Sequence, residues 1–421
     1  MKKKIFCLFL VAVFVLSTLF TAGASNLGRD FIGEEFVELY NRTGQMRLAV
    51  MDFTHEAVLH STQNLSLQKQ VVMNMPEEFG FTQSEVYNMQ LGTPFSIYVF
   101  DDSRVQIDTG VLIFPVVYNG NIIGILETMY DDALGERFFS FGRSYADELN
   151  ALQQTRYANR DFVIVNYGDV LFASNGENVI VISDRRFDDS EDQLHCIVSE
   201  DEINYLAFSV ISRAHLEFAD VTLPAVVSFS EVIPDIDSIS DMASPMNSSN
   251  FRLLDVRHVP QNRTGVCGVA SWASILNFRF FTNYCNTSLA VAMQNAGIIA
   301  TEHSTPGMHN YRDYANRLYN ANAVFTLSPF SITQVRSLID SRRPIMGNWR
   351  QHDNAGNYMG NHSLNIIGYE VPFGANVAFY FVRNPWGSTP HIQSLTVNHS
   401  NPTRVVHMHE GISWTLRESV H

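Results

Sequence analysis

The stretch Val259-Pro260-Gln261-Asn262-Arg263-Thr264-Gly265-Val266-Cys267-Gly268-Val269-Ala270-Ser271-Trp272-Ala273-Ser274-Ile275-Leu276-Asn277-Phe278 changes character at its cysteine. It is polar and glycine-containing up to Cys267, then apolar at Val269, Trp272, Ala273 and Leu276, the spacing of a buried helix face. Cys267 is therefore expected at a helix N-terminus. Unpaired N–H groups and the positive end of the helix dipole favour the thiolate there. Because the thiolate is the nucleophilic form, a cysteine so placed is primed to attack a carbonyl.

Such a sulfur needs a base beside it. In Gly360-Asn361-His362-Ser363-Leu364-Asn365-Ile366-Ile367-Gly368-Tyr369, His362 opens an apolar strand ended by glycine. In Phe379-Tyr380-Phe381-Val382-Arg383-Asn384-Pro385-Trp386-Gly387, a second apolar strand ends at Asn384. The amide oxygen of Asn384 can accept the second ring N–H of His362 and hold its tautomer. Pro385 keeps Asn384 out of the helical region, and Trp386 would shield that hydrogen bond from water. Each piece alone has a bland reading as a buried thiol, a structural histidine or a turn. Their order along the chain carries the argument.

These segments resemble the papain-like superfamily of cysteine peptidases: a glutamine upstream of a helix-starting Cys-Gly, a strand that begins with His and ends Gly-Tyr, then Asn-x-Trp-Gly. The resemblance covers roughly residues 255–390, in the family's order Gln, Cys, His, Asn. It implies an α+β fold, a papain-like catalytic domain with a helical lobe carrying Cys267 and a β-rich lobe carrying His362 and Asn384. It implies that Gln261, six residues before Cys267, donates an amide hydrogen to the oxyanion with the Cys267 N–H as second donor. No cofactor or metal is called for. The Cys-to-His interval of 95 residues is shorter than the ~130–150 of papain itself, and looks more like the bacteriocin-leader-processing-like or staphopain-like bacterial branches. The papain-type pattern Cys-Gly-(Ser/Ala)-Cys-Trp can also be aligned so that Ser271 falls near the catalytic place, giving an inactive chain. That alignment needs an inserted residue and strands Gln261 too far upstream, so Cys267 is the better nucleophile. A catalytically inactive secreted binding module and a peptidoglycan amidase or endopeptidase are the alternative functions.

Around this centre the chain falls into four expected parts. Met1-Lys2-Lys3-Lys4, the apolar run Ile5 to Ala22 and the small residues Ala22-Gly23-Ala24 read as a signal peptide, residues 1–24, cleaved after Ala24. A secreted, extracellular protein with no stable membrane anchor follows from that reading. Residues 25–231 form an acidic α+β region, residues 232–250 a polar Ser/Pro-containing linker, and residues 251–421 the peptidase domain. Residues 25–250 hold 12 Lys+Arg against 35 Asp+Glu, net −23, whereas residues 251–421 hold 13 Arg, no Lys and 8 Asp+Glu, net +5. The halves attract each other. With the exposed linker, this leads to an inhibitory pro-region removed by a cut in the linker, the peptidase's other partner being a peptide or protein substrate. The acidic balance argues against nucleic acid as a partner.

Three cysteines remain after export, Cys196, Cys267 and Cys285, so at least one thiol is expected to be free. Cys285, in the polar run Thr282 to Asn286, is expected to be a free surface thiol. His407-Met408-His409-Glu410 and His303 with His309 lack helical metal-site spacing and read as partly exposed histidines. Within the acidic region, Val111–Tyr118 and Ile122–Thr128 joined by Asn119-Gly120 predict a hairpin. Gly135–Thr155 reads as helix, and Phe162–Phe172 returns through Asn175-Gly176 to Val179–Ile182. Phe31–Tyr40 reads as a short helix and Arg47–Phe53 as a strand.

Overall fold

The computed structural model describes residues 55–100, 106–107, 110–153, 163–167, 170–174, 179–184, 250–261, 265–301, 305–352, 358–372, 376–386, 391–401 and 404–421. Residues 1–24, the expected signal peptide, the expected elements between residues 31 and 53, Cys196 and the 232–249 segment lie outside the described residues.

The fold is α+β. Most of its strands join one long antiparallel sheet in the order β1 (Gln90–Leu91), β4 (Val111–Tyr118), β5 (Asn121–Asp131), β6 (Glu136–Gly142), β15 (Gln393–Asn398), β14 (Val377–Arg383), β13 (Tyr358–Glu370), β12 (Ile345–His352), β17 (Ile412–Val420) and β11 (Phe325–Thr326). Two further strands attach to its flanks, β10 (Phe251–Leu253) on β13 and β16 (Val406–His409) on β17. A smaller sheet, made wholly by the acidic half, runs β3 (Gln106–Ile107), β2 (Tyr98–Phe100), β7 (Val163–Tyr167), β8 (Val170–Ser174), β9 (Val179–Asp184).

Local chemistry explains the first hairpin. Asn119 and Gly120 take φ of 50° and 77°, the left-handed values a two-residue turn between twisted strands requires. The expected helix over Gly135–Thr155 is a strand, β6, followed by a helix only at Ala146–Gln153. Phe138, Phe139 and Phe141 are buried in β6, where strand neighbours on both sides supply the packing that aromatic residues favour. The run Phe162–Phe172 is likewise two antiparallel strands, β7 and β8, with β9 returning against β8 as expected.

The acidic and cationic halves meet at one seam. Ser140 and Phe141 of β6 pair with Leu395 and Ser394 of β15, which makes the sheet continuous across the halves. One apolar core follows it, from Phe79, Phe81, Phe114 and Phe141 to Phe379, Phe381 and Leu395. Ion pairs cross the seam in the sense the charge split calls for, Arg404 with Asp131 and, at 3.6 Å, Arg383 with Glu78. Partly exposed pairs contribute about 0–1 kcal/mol each, whereas each fully buried Phe contributes roughly 1.5–3 kcal/mol; apolar burial holds the seam.

Glu127 of β5 sits inside this seam, 2% exposed. Tyr145 Oη donates to its Oε1 at 2.9 Å and the Gly411 N–H at 3.3 Å. Burial pushes its pKa from 4.5 up to about 8. The fold thus holds a neutral acid, whose contribution is complete below the ordinary carboxyl value and is lost as pH rises toward about 8. Unfolding free energy is expected to fall by on the order of a few kcal/mol between about pH 5 and pH 8. Glu127→Gln, measured by urea titration at each pH, should flatten that slope; an unchanged slope would rule out Glu127 as its source.

A second core packs the helix Cys267–Phe280 with the helices Asn286–Asn295 and Met308–Tyr319, against Met346 and Val420 of the sheet. The C-terminal half therefore has a helical part carrying Cys267 and a β-rich part carrying His362 and Asn384.

Candidate active site

Cys267 is the first residue of its helix, and the N-cap, Val266, makes no side-chain capping bond. The first-turn N–H groups are thus left without a side-chain cap beside the sulfur, the arrangement that stabilises a thiolate. Val269, Trp272, Ala273 and Leu276 are all buried, and burial extends right round the helix from Gly268 to Leu276. Cys267 itself is only half-buried and is not in a disulfide. The phenol of Tyr311 lies against this turn: a Cβ on Gly268 would collide with Tyr311 Oη. Burial, then the charge of Cys267, pushes the Tyr311 pKa well up.

His362 lies on β13 and is 2% exposed. Its Nε2 donates to Asn384 Oδ1 at 2.9 Å, and the Trp386 backbone N–H donates to the same oxygen at 3.1 Å. Two donors on one atom identify it as the amide oxygen rather than the nitrogen. With Nε2 committed, Nδ1 is the ring nitrogen left to exchange a proton with a thiol. The Trp386 ring stacks on His362, centroids 4.2 Å apart and planes 24° from parallel, which keeps water from the His362–Asn384 bond. Asn384 follows β14 directly and is fully buried.

The cysteine's helix is bolted to the histidine's strand one turn from the sulfur. Ser271 Oγ donates to the Ser363 carbonyl at 3.0 Å, and Asn365 Nδ2 donates to the Ser271 carbonyl at 2.8 Å. Ser271, four residues after Cys267, is thereby a fully buried clamp inside the helix, not a group at its exposed start. Gln261 is anchored to the loop on the other side: its N–H donates to the Pro385 carbonyl at 2.7 Å, between Asn384 and Trp386. Its side chain is buried, and Oε1 has no hydrogen-bond partner among the described residues.

Two expectations about accessory groups change. Cys285 is disulfide-bonded, which leaves Cys267 as the cysteine with an unoxidised thiol among the described residues. His407 and His409, expected to be partly exposed, are fully buried, as is Glu410. They lie where the halves meet, and contacts made by residues more than a hundred positions upstream leave no mark on the local sequence. His407 packs 6.3 Å from His362, and burial, with the His362 charge second, drives its pKa well down. His309 is exposed, and His303 lies outside the described residues. Among the described residues no cluster of three or more His, Cys, Asp or Glu is arranged to hold a metal ion.

Residues 253–404 match the model of a family described as "Peptidase_C39 like family". No curated protein matches the chain. Among solved structures, "Crystal structure of UfSP from C.elegans" is similar at 13% identity, with a TM-score of 0.23, over 38% of this chain and 35% of that one. The chain thus spans about a third of that protein's length. The segment that matches this family's model carries Gln261, Cys267, His362 and Asn384.

Proposed function

We propose that this protein is an exported cysteine endopeptidase made as a latent precursor. The Cys267 thiolate attacks a peptide carbonyl, and the imidazolium of His362 gives its Nδ1 proton to the departing amine. The oxyanion is held by the Gln261 side-chain amide and the Cys267 N–H. A water that passes its proton to His362 then hydrolyses the thioester and frees the sulfur. Asn384 holds the imidazole in the required tautomer. The acidic half accompanies the peptidase as the latency element until the 232–250 segment is cut.

The observation that carries this reading is the His362–Asn384 hydrogen bond under Trp386, on a strand tied to the cysteine's helix through Ser271. A thiol-reactive epoxide tests it. Under reducing conditions the cut protein is expected to gain one inhibitor mass, mapped by peptide analysis to Cys267 and not to Cys285. Absence of an adduct, or equal labelling of both cysteines, would remove the case for an activated thiol.

A further inference from the structure

We infer that residues 55–184 are a permanent component of the peptidase: once the segment joining them to residue 250 is cut, they remain bound as a separate chain. The biological setting rests on the precursor reading above. The physical argument does not.

A detachable inhibitor leaves behind a surface that water can cover. Here the surface left behind would be core. Along β14 every residue from Ala378 to Val382 is buried, and along β15 every residue from Gln393 to Val397. Phe79 of the acidic half meets Phe381 edge-on at 5.7 Å, and β6 closes the edge of β15. Departure would bare that edge together with a large apolar patch, a combination that invites aggregation.

Buried polar groups tell the same story. Asn64 Nδ2 donates to Thr396 Oγ1 at 3.0 Å, and the Ile392 N–H to the Glu78 carbonyl at 3.1 Å. The Met408 N–H donates to Ser140 Oγ at 2.8 Å, and Asn166 Nδ2 to the Glu410 carbonyl at 3.1 Å. Each of these would lose its partner on departure.

The acidic half also reaches toward the catalytic histidine. Gln393 Nε2 donates to Ser144 Oγ at 2.8 Å, while Gln393 Oε1 accepts from His407 Nε2 at 2.9 Å, and His407 packs against His362. Ser144 and Gln393 thus brace the wall behind His362. Strand contacts of residues 55–184 concentrate on β15 and β16, with Phe79 on β14, Asn74 reaching Glu370 at the end of β13 and Glu127 and Asn166 on the Glu410-Gly411 turn, whereas the helix of Cys267 packs on β12 and β13.

The test uses the full chain carrying Cys267→Ala, so that no self-cleavage intervenes, with a recognition site for an unrelated protease placed between residues 232 and 250. After cutting, with reductant present so that the Cys285 disulfide tethers nothing, the sample is run on size exclusion at micromolar concentration. Both fragments are expected in one equimolar peak at the volume of the uncut protein. Two separate peaks overturn the proposal. In urea, the fragments are expected to part only within the unfolding transition seen by tryptophan fluorescence. Parting at lower urea with that signal unchanged equally overturns it. Hydrolysis by the unsubstituted protein is measured separately, so loss of the peptidase reading would leave this result standing.

Discussion

Cys267→Ala is expected to reduce peptide hydrolysis by roughly 10⁵–10⁶-fold in kcat, the scale seen when a covalent nucleophile is removed. Nothing else in the proposed site can take over. Ser271 is buried, with its hydroxyl committed to the Ser363 carbonyl, and Cys285 is locked in a disulfide. The variant should fold normally, because Cys267 is only half-buried at a helix start and alanine is the best helix former. Its thermal midpoint should lie within a few degrees of the parent's. If the precursor cuts itself, this variant should also stay full length after export, while the parent yields a chain beginning near residues 240–255. Undiminished hydrolysis by a folded Cys267→Ala protein would end the thiol-peptidase reading. Full-length parent in the medium would end only the maturation step.

Phe381→Ala is expected to cost about 3–5 kcal/mol of stability, the range for removing a buried aromatic side chain. Phe381 is fully buried in β14 and touches rings from two directions, Phe79 of the acidic half and Phe251 of β10, each at 5.7 Å. A cavity there lies between strands held on both sides, which limits how far the surroundings can collapse to fill it. Chemical denaturation followed by tryptophan fluorescence measures the loss. A loss under about 1 kcal/mol would show that the seam carries far less of the fold than its burial indicates.

The two sets of site residues differ in how legible they were. The helix start at Cys267 could be read because polar-to-apolar change and helical spacing are local properties, and the helix begins at that residue. Asn384 could be placed by the end of β14 just before it and His362 by the apolar run that follows it, although β13 begins four residues before His362, at Tyr358, because pairing with β12 extends the strand through the polar residues upstream. The fold brings the two into a hydrogen bond. Ser271 drew notice only as a rival nucleophile, and its role as the clamp to Ser363 and Asn365 had no signal of its own. Tyr311 and Gln393 were missed for the same reason: a tyrosine on an amphipathic helix and a glutamine in a strand are commonplace until their neighbours are known.

What the chain by itself determined are the features that repeat over a few residues. These are the Asn119-Gly120 turn with both φ values positive, the buried helix behind Cys267, and the order Gln261, Cys267, His362, Asn384. What only the tertiary structure decided is the joining of β6 to β15, which merges the expected two domains' strands into one sheet. It also decided the burial of His407, His409 and Glu410. Strand pairing between segments some 250 residues apart depends on backbone groups that every residue carries alike. Burial of a side chain depends on what arrives to cover it.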